Sequence, residues 1–199
     1  MGSPKPRSSV TRVEPLTPSR WSDLETLFGE RGACGGCWCM WWRLPRSAWI
    51  EGKGEPNRRA FATRVASGPP PGLLAYRDGR PVGWCAVTPR AELPVLDRSR
   101  NLRPIDDRDA WCVSCLFVHR DARGGGVAVA LLEAASNFAR AHGATLLEGY
   151  PVDPLEGKRM PAAFVWTGTL ALFRRAGFVE IARRAPTRPI VRRELLAGA

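Results

Sequence analysis

A bare turn two-thirds of the way along the chain decides much of how it can fold. In "DARGGGVAVALLEAA", residues 121–135, an arginine and three consecutive glycines lead straight into a helical run. From Val127 the apolar positions Leu131, Ala134, Phe138 and Ala141 recur at helical spacing, and Gly143 supplies the stop. Ahead of the turn, "AWCVSCLFV", Ala110 to Val118, is apolar nearly throughout and reads as a buried strand. A buried strand turning directly into an amphipathic helix requires a sheet with that helix laid across it, so the chain reads as α/β. The turn also suits an anion. The first N–H groups of a helix have no partner inside it, the helix dipole adds positive charge there, glycines admit a ligand to the main chain, and Arg123 adds a charged donor. Three glycines can equally make a tight turn and nothing more, so the turn alone does not decide between these readings.

The remaining chain alternates between the two periods. "VTRVEPL", Val10 to Leu16, alternates as a strand does, and Thr17 with Pro18 opens a helix carrying Trp21, Leu24, Leu27 and Phe28 on one face. Asn57 to Val65 is a second helix, ended by "SGPPPG". "GLLAYRDGRPVGWCAV" is a hairpin turning at Asp78 and Gly79, and residues 89–109 read as a long polar loop. "TLLEGYPV" returns as strand. A last helix holds Leu170 and Phe173, Gly177 closes it, and "FVEIARRAPTRPIVRREL" supplies a closing pair of strands.

Size and charge narrow the function. The 199 residues form one domain, 10–199, behind a flexible tail at 1–9 that has basic residues but no apolar core to act as a secretion signal. No stretch nears the ~20 apolar residues of a membrane span, so the expected address is the cytoplasm. A net charge of +11 favours anionic partners. The excess is scattered arginine with no lysine-rich block, which argues for a solvated basic surface over a nucleic-acid arm.

Two familiar phosphate loops fail. A P-loop needs Lys and then Ser or Thr after its last glycine, where this chain has Val127 and Ala128, and a dinucleotide fingerprint belongs near a first strand. "RGGGVA", Arg123 to Ala128, behind its strand, and "FRRAGF", Phe173 to Phe178, closing a later helix, together resemble the two signature elements of the GNAT superfamily of acetyl-CoA-dependent N-acetyltransferases. The resemblance spans roughly Val10 to Leu195 and extends to a bacterial branch with "CGGCWCMWWR" near its N-terminus. It implies a mixed, mostly antiparallel central sheet with flanking helices, whose fourth and fifth strands splay to admit the pantetheine arm of acetyl-CoA. Carried over, Leu116, Phe117 and Val118 would bond pantetheine through the main chain. Arg123 and the amides of Gly124, Gly125, Gly126, Val127 and Ala128 would hold the diphosphate, with Phe173 beside the coenzyme. The implied reaction is direct attack of a neutral primary amine on the thioester. The expected acceptor is a small molecule, with a protein amine as an alternative and a second copy of the chain left open as a partner. From another class, the rival is a nucleic-acid-binding or zinc-binding module without turnover.

Many members of the resembled family have tyrosine where Phe173 stands, and its hydroxyl is assigned as the acid for the leaving thiolate. Phenylalanine donates no proton. Glu148 and Tyr150, two apart on a strand and so on one face, are the candidate base and acid, against a plain structural role for both; Asp153 is a weaker base.

"CGGCWCMWW" places Cys34, Cys37 and Cys39 beside Trp38, Trp41 and Trp42. A structural zinc site wants four ligands, and the other cysteines, Cys85, Cys112 and Cys115, fall on expected core strands, so no metal is assigned. In the resembled family the segment after the first helix borders the acceptor site. Trp38, Trp41 and Trp42 are therefore candidate walls for an apolar or cationic amine, with core packing as the alternative.

Overall fold

The computed structural model describes residues 11–154, 160–161 and 164–195, so the expected tail at 1–9 lies outside the described residues. Seven strands form one sheet: β1 (Arg12–Pro15), β2 (Gly72–Arg77), β3 (Arg80–Pro89), β4 (Trp111–Val118), β5 (Leu146–Gly149), β6 (Val179–Arg183) and β7 (Pro189–Glu194). Their spatial order is β1-β2-β3-β4-β5-β7-β6, and every neighbouring pair is antiparallel except β4 with β5. That parallel pair needs a crossover, which is the glycine turn and the helix α5 (Val127–Ala141).

Helices cover both faces. α1 (Trp21–Phe28) starts after a short turn opened by Pro18 and buries Leu24, Leu27 and Phe28; α3 (Glu55–Ser67) adds Phe61 and Val65 on the same side, around the fully buried Trp84. On the opposite face α5 buries Val127, Leu131, Leu132 and Ala135 against the sheet, joined by Phe173 of α6 (Leu170–Arg175). Thr169 caps α6, its hydroxyl accepting the Leu172 N–H at 3.3 Å. Two short helices, α2 (Arg46–Glu51) and α4 (Pro94–Asp97), fall where the sequence shows no helical period; α4 interrupts the expected loop at 89–109.

One residue sets the geometry of the centre. Val87 of β3 pairs with Val113 of β4, yet the next β3 residue back, Ala86, pairs with Cys115, so Ser114 is an extra residue on β4. The bulge bends β4. Its pairing with β5 runs Trp111 to Leu147, Cys112 to Glu148 and Val113 to Gly149, and it stops there, while Cys115 to Val118 continue along β3 alone. The strands splay as expected, and an opening is left between them.

Candidate active site

The opening leads into a groove of ≈ 670 Å³ running back to the glycine turn. Gly124 and Gly126 have φ of 76° and 81°, in the left-handed region where a side chain is strained, and Gly126 is the N-cap of α5. The turn is therefore glycine for backbone reasons at two of its three positions. Gly125 is different. Its carbonyl accepts a hydrogen bond from the guanidinium of Arg77, which also donates from Nε to the Thr11 hydroxyl at 3.0 Å. Arg123 folds back to give its Nε–H to the Val118 carbonyl at 3.0 Å while lining the groove. All ten residues expected at the coenzyme line this groove except Gly125 and Phe173. Phe173 has no exposure and packs edge-on against Phe178, 5.0 Å between ring centroids, beneath Gly149.

A second cavity of ≈ 230 Å³ lies beside the first. The two share Ala33, Cys34, Leu116, Phe117 and Trp166 in their walls, so they meet at the splayed part of β4. Trp41 and Trp42 line the second cavity, with Trp49 and Trp166. Trp41 stands at the centre of this group, edge-on to Trp49 at 4.6 Å and to Trp166 at 6.3 Å. Trp38 does not join them. It is 2% exposed and packs in the core against Trp21 and Phe28, at 6.0 and 5.6 Å. The indole of Trp42 donates to the carbonyl of the bulge residue Ser114 at 3.3 Å, and the Trp166 carbonyl accepts the N–H of Leu116 at 2.7 Å. These two bonds satisfy peptide groups that the loss of β5 leaves without a strand partner. Trp49, Trp166, Lys53 and Arg175 escaped the sequence reading; Trp166 and Arg175 lie in or near the second signature element, a signal available but unused.

Glu148 and Tyr150 do come together. The tyrosine hydroxyl donates to Glu148 Oε2 at 2.6 Å. Both are buried, at 2% and 0% exposure, and neither lines either cavity. Glu148 Oε2 also accepts from Arg90 at 3.0 Å, and Oε1 accepts from Arg192 Nε at 2.8 Å; Arg192 continues to Asp106 at 2.6 Å. Burial, with Cys112 and Glu148 nearby, raises the Tyr150 pKa well above the ordinary phenol range. Asp153 pairs with Arg183 at 2.7 Å on the far edge.

All six cysteines are free thiols. Among the described residues no group of three or more His, Cys, Asp or Glu is placed to hold a metal ion, and no helix is long and apolar enough to cross a membrane. His119 caps the short turn ahead of Arg123, and His142 ends α5 with its Nδ1 2.8 Å from the Phe138 carbonyl.

A groove ending on bare helix amides and joined at a split sheet to a second cavity has room for two substrates to meet. The family model described as the acetyltransferase (GNAT) family matches residues 38–152, more than half of the chain, and the chain belongs to that family: it is a GNAT acetyltransferase. Among solved structures it resembles the GNAT domain of PAT from S. lividans, 18% identical over 93% of this chain and 90% of that one, TM-score 0.55. It also resembles a GNAT-family acetyltransferase from Streptococcus agalactiae, 13% identical over 92% and 95%, TM-score 0.55. A third is the PaiA N-acetyltransferase of Thermoplasma acidophilum in complex with coenzyme A, 12% identical over 93% and 99%, TM-score 0.52. At these identities they show the fold. No curated protein matches the chain.

Proposed function

We propose that the protein transfers the acetyl group of acetyl-CoA to a primary amine of a small molecule. The observation that carries this reading is the junction of the two cavities along Leu116 and Phe117, with the glycine turn at the other end of the larger one. The diphosphate sits on the amides opening α5, beside Arg123, and pantetheine runs along β4 towards the junction. There the amine nitrogen bonds to the acetyl carbon, the carbon–sulfur bond breaks, and coenzyme A leaves as thiolate, taking up the proton the nitrogen sheds. In this structure the Trp166 carbonyl occupies the Leu116 N–H, so pantetheine bonding there exchanges one carbonyl for another.

On this reading Glu148 and Tyr150 hold the scaffold instead of acting as base and acid. Both carboxylate oxygens are engaged by buried guanidinium groups, and the pair ties β5 to β7 and to the segment around Arg90. The test is calorimetry of acetyl-CoA binding with Arg123→Ala. Loss of one charge-assisted contact weakens binding about tenfold, and an unchanged constant refutes the diphosphate assignment.

A further inference from the structure

The smaller cavity has a chemical character of its own. This inference rests on the acetyltransferase reading above and names its acceptor. Four indoles, Trp41, Trp42, Trp49 and Trp166, make the walls, and among the described residues the one formal charge in the lining is Lys53. Lys53 is exposed and its Nζ stands 4.7 Å from the Trp49 ring centroid. Beside it the Trp49 Nε1–H is buried and has no hydrogen-bond partner, and Arg46 lies over Trp41 at 5.6 Å. The larger groove adds only cations, Arg123 and Arg175, and among the described residues neither cavity is lined by Asp, Glu or His.

Indole faces attract cations, but Lys53 and Arg46 already stand over Trp49 and Trp41, and the Lys53 charge with no lining carboxylate among the described residues selects against a cationic acceptor. An alkyl ammonium would meet Lys53 with no carboxylate to offset it. It would also have to lose its proton before attack, and an amine like that of lysine, pKa about 10.4, is neutral in only about one molecule in 2,500 at pH 7. Two of the wall thiols, Cys37 and Cys39, are poor candidates for the missing base. Burial pushes Cys37 up to about 12, and Cys39, whose pKa is lowered chiefly by its hydrogen bond with Cys115, has its sulfur 3.1 Å from the Nε1 of the core residue Trp84. An arylamine needs no base, because delocalisation of its lone pair into the ring leaves it neutral at pH 7. At ≈ 230 Å³ the cavity is smaller than the ~300–1,000 Å³ typical of drug-sized sites, which suits a single ring.

We propose that the acceptor is a single-ring aromatic amine carrying an acidic group: the ring lies among the four indoles, the acidic group meets Lys53, and the amino group points to the junction at Leu116 and Phe117. The test measures coenzyme A release with 4-aminobenzoate, aniline and spermidine, alongside calorimetry of acetyl-CoA. The expected order puts 4-aminobenzoate first in kcat/KM, about tenfold above aniline, with spermidine last. Lys53→Ala, an exposed position, lowers the 4-aminobenzoate to aniline ratio about tenfold. A preference for spermidine with acetyl-CoA bound normally overturns the acceptor class and leaves the transferase reading standing, as does an unchanged ratio in the Lys53 variant. Loss of 4-aminobenzoate turnover in Glu156→Gln, a carboxylate outside the described residues, overturns the base-free feature. Absence of any heat with acetyl-CoA removes the transferase reading itself.

Discussion

Adding a single methyl group at each of the three turn glycines in separate variants distinguishes a ligand site from a tight corner. Gly124 and Gly126 sit at φ 76° and 81°, and a Cβ built on either meets no other atom within 4 Å. The destabilisation in Gly124→Ala and Gly126→Ala is then backbone strain alone, about 1–2 kcal/mol each. For a domain of this size that lowers Tm by about 2–8 °C. In Gly125→Ala the new Cβ would stand 2.5 Å from the Arg77 guanidinium, the far end of a flexible side chain that can move away, so stability changes by only about 0.5 kcal/mol. Ligand binding follows a different order. Gly124 and Gly126 line the groove and Gly125 does not, so the two outer methyl groups enter the space of the diphosphate and disturb the amides of Val127 and Ala128. Losing one hydrogen bond to a charged acceptor, about 1.5–3 kcal/mol, raises the acetyl-CoA Kd about 10- to 100-fold. Thermal melts and calorimetry on the three variants supply both numbers. Outer variants that melt lower as expected and still bind acetyl-CoA as tightly as the parent would show the glycines to be a turn and no more.

Three further perturbations probe the scaffold. Glu148→Gln leaves Arg90 and Arg192 facing a neutral amide in a buried site, which lowers stability by about 3 kcal/mol; kcat of the folded enzyme is retained, and a fall in kcat with a flattened alkaline limb would instead make Glu148 the base. Gly149→Ala puts a Cβ 2.2 Å from Cε1 of the fully buried Phe173 ring, an overpacking worth about 1–3 kcal/mol, and an unaltered melting curve would mean the ring has room to turn. The hydrogen bonds from Arg192 hold the Asp106 carboxyl at about 2, below its ordinary ~3.9, so its stabilising contribution is complete above that ordinary value and is lost as pH falls through the folded-state one. The Tm difference between the parent and Asp106→Asn is accordingly constant at neutral pH and closes towards pH 2; a gap that survives in acid contradicts the ion-pair account.

The strands were legible in the sequence because each carried its own local signal: alternation in β1, the Asp78-Gly79 turn between β2 and β3, and the apolar run of β4. α2 and α4 escaped because six and four residues are too few to show a helical period. The glycine turn was readable from "RGGGVA", since bare backbone there is required by φ at Gly124 and Gly126 and not by partners distant in sequence. Trp38 illustrates the opposite case. Positive φ at Trp38 and at Cys39 turns adjacent side chains in directions that no spacing rule anticipates, so Trp38 enters the core while Trp41 and Trp42 reach the cavity. The pairing of Glu148 with Tyr150 followed from the two-residue strand repeat, but its burial depends on Arg90 and Arg192, 58 and 44 residues away.

The bulge at Ser114 joins fold and site more closely than either motif does. Bending β4 away from β5 opens the groove, and it also strips edge peptide groups of their strand partners, which a buried position cannot leave unpaired without losing about 1–3 kcal/mol each. The chain answers with two tryptophans: the Trp42 indole takes the Ser114 carbonyl and the Trp166 carbonyl takes the Leu116 N–H. Both rings then stand in the wall of the smaller cavity, 5.8 Å apart between centroids. The wall of the smaller cavity is therefore built from the residues that repair the opened strand. A ligand that bonds the Leu116 N–H competes for it with the Trp166 carbonyl, and Trp166 is shared by the walls of both cavities.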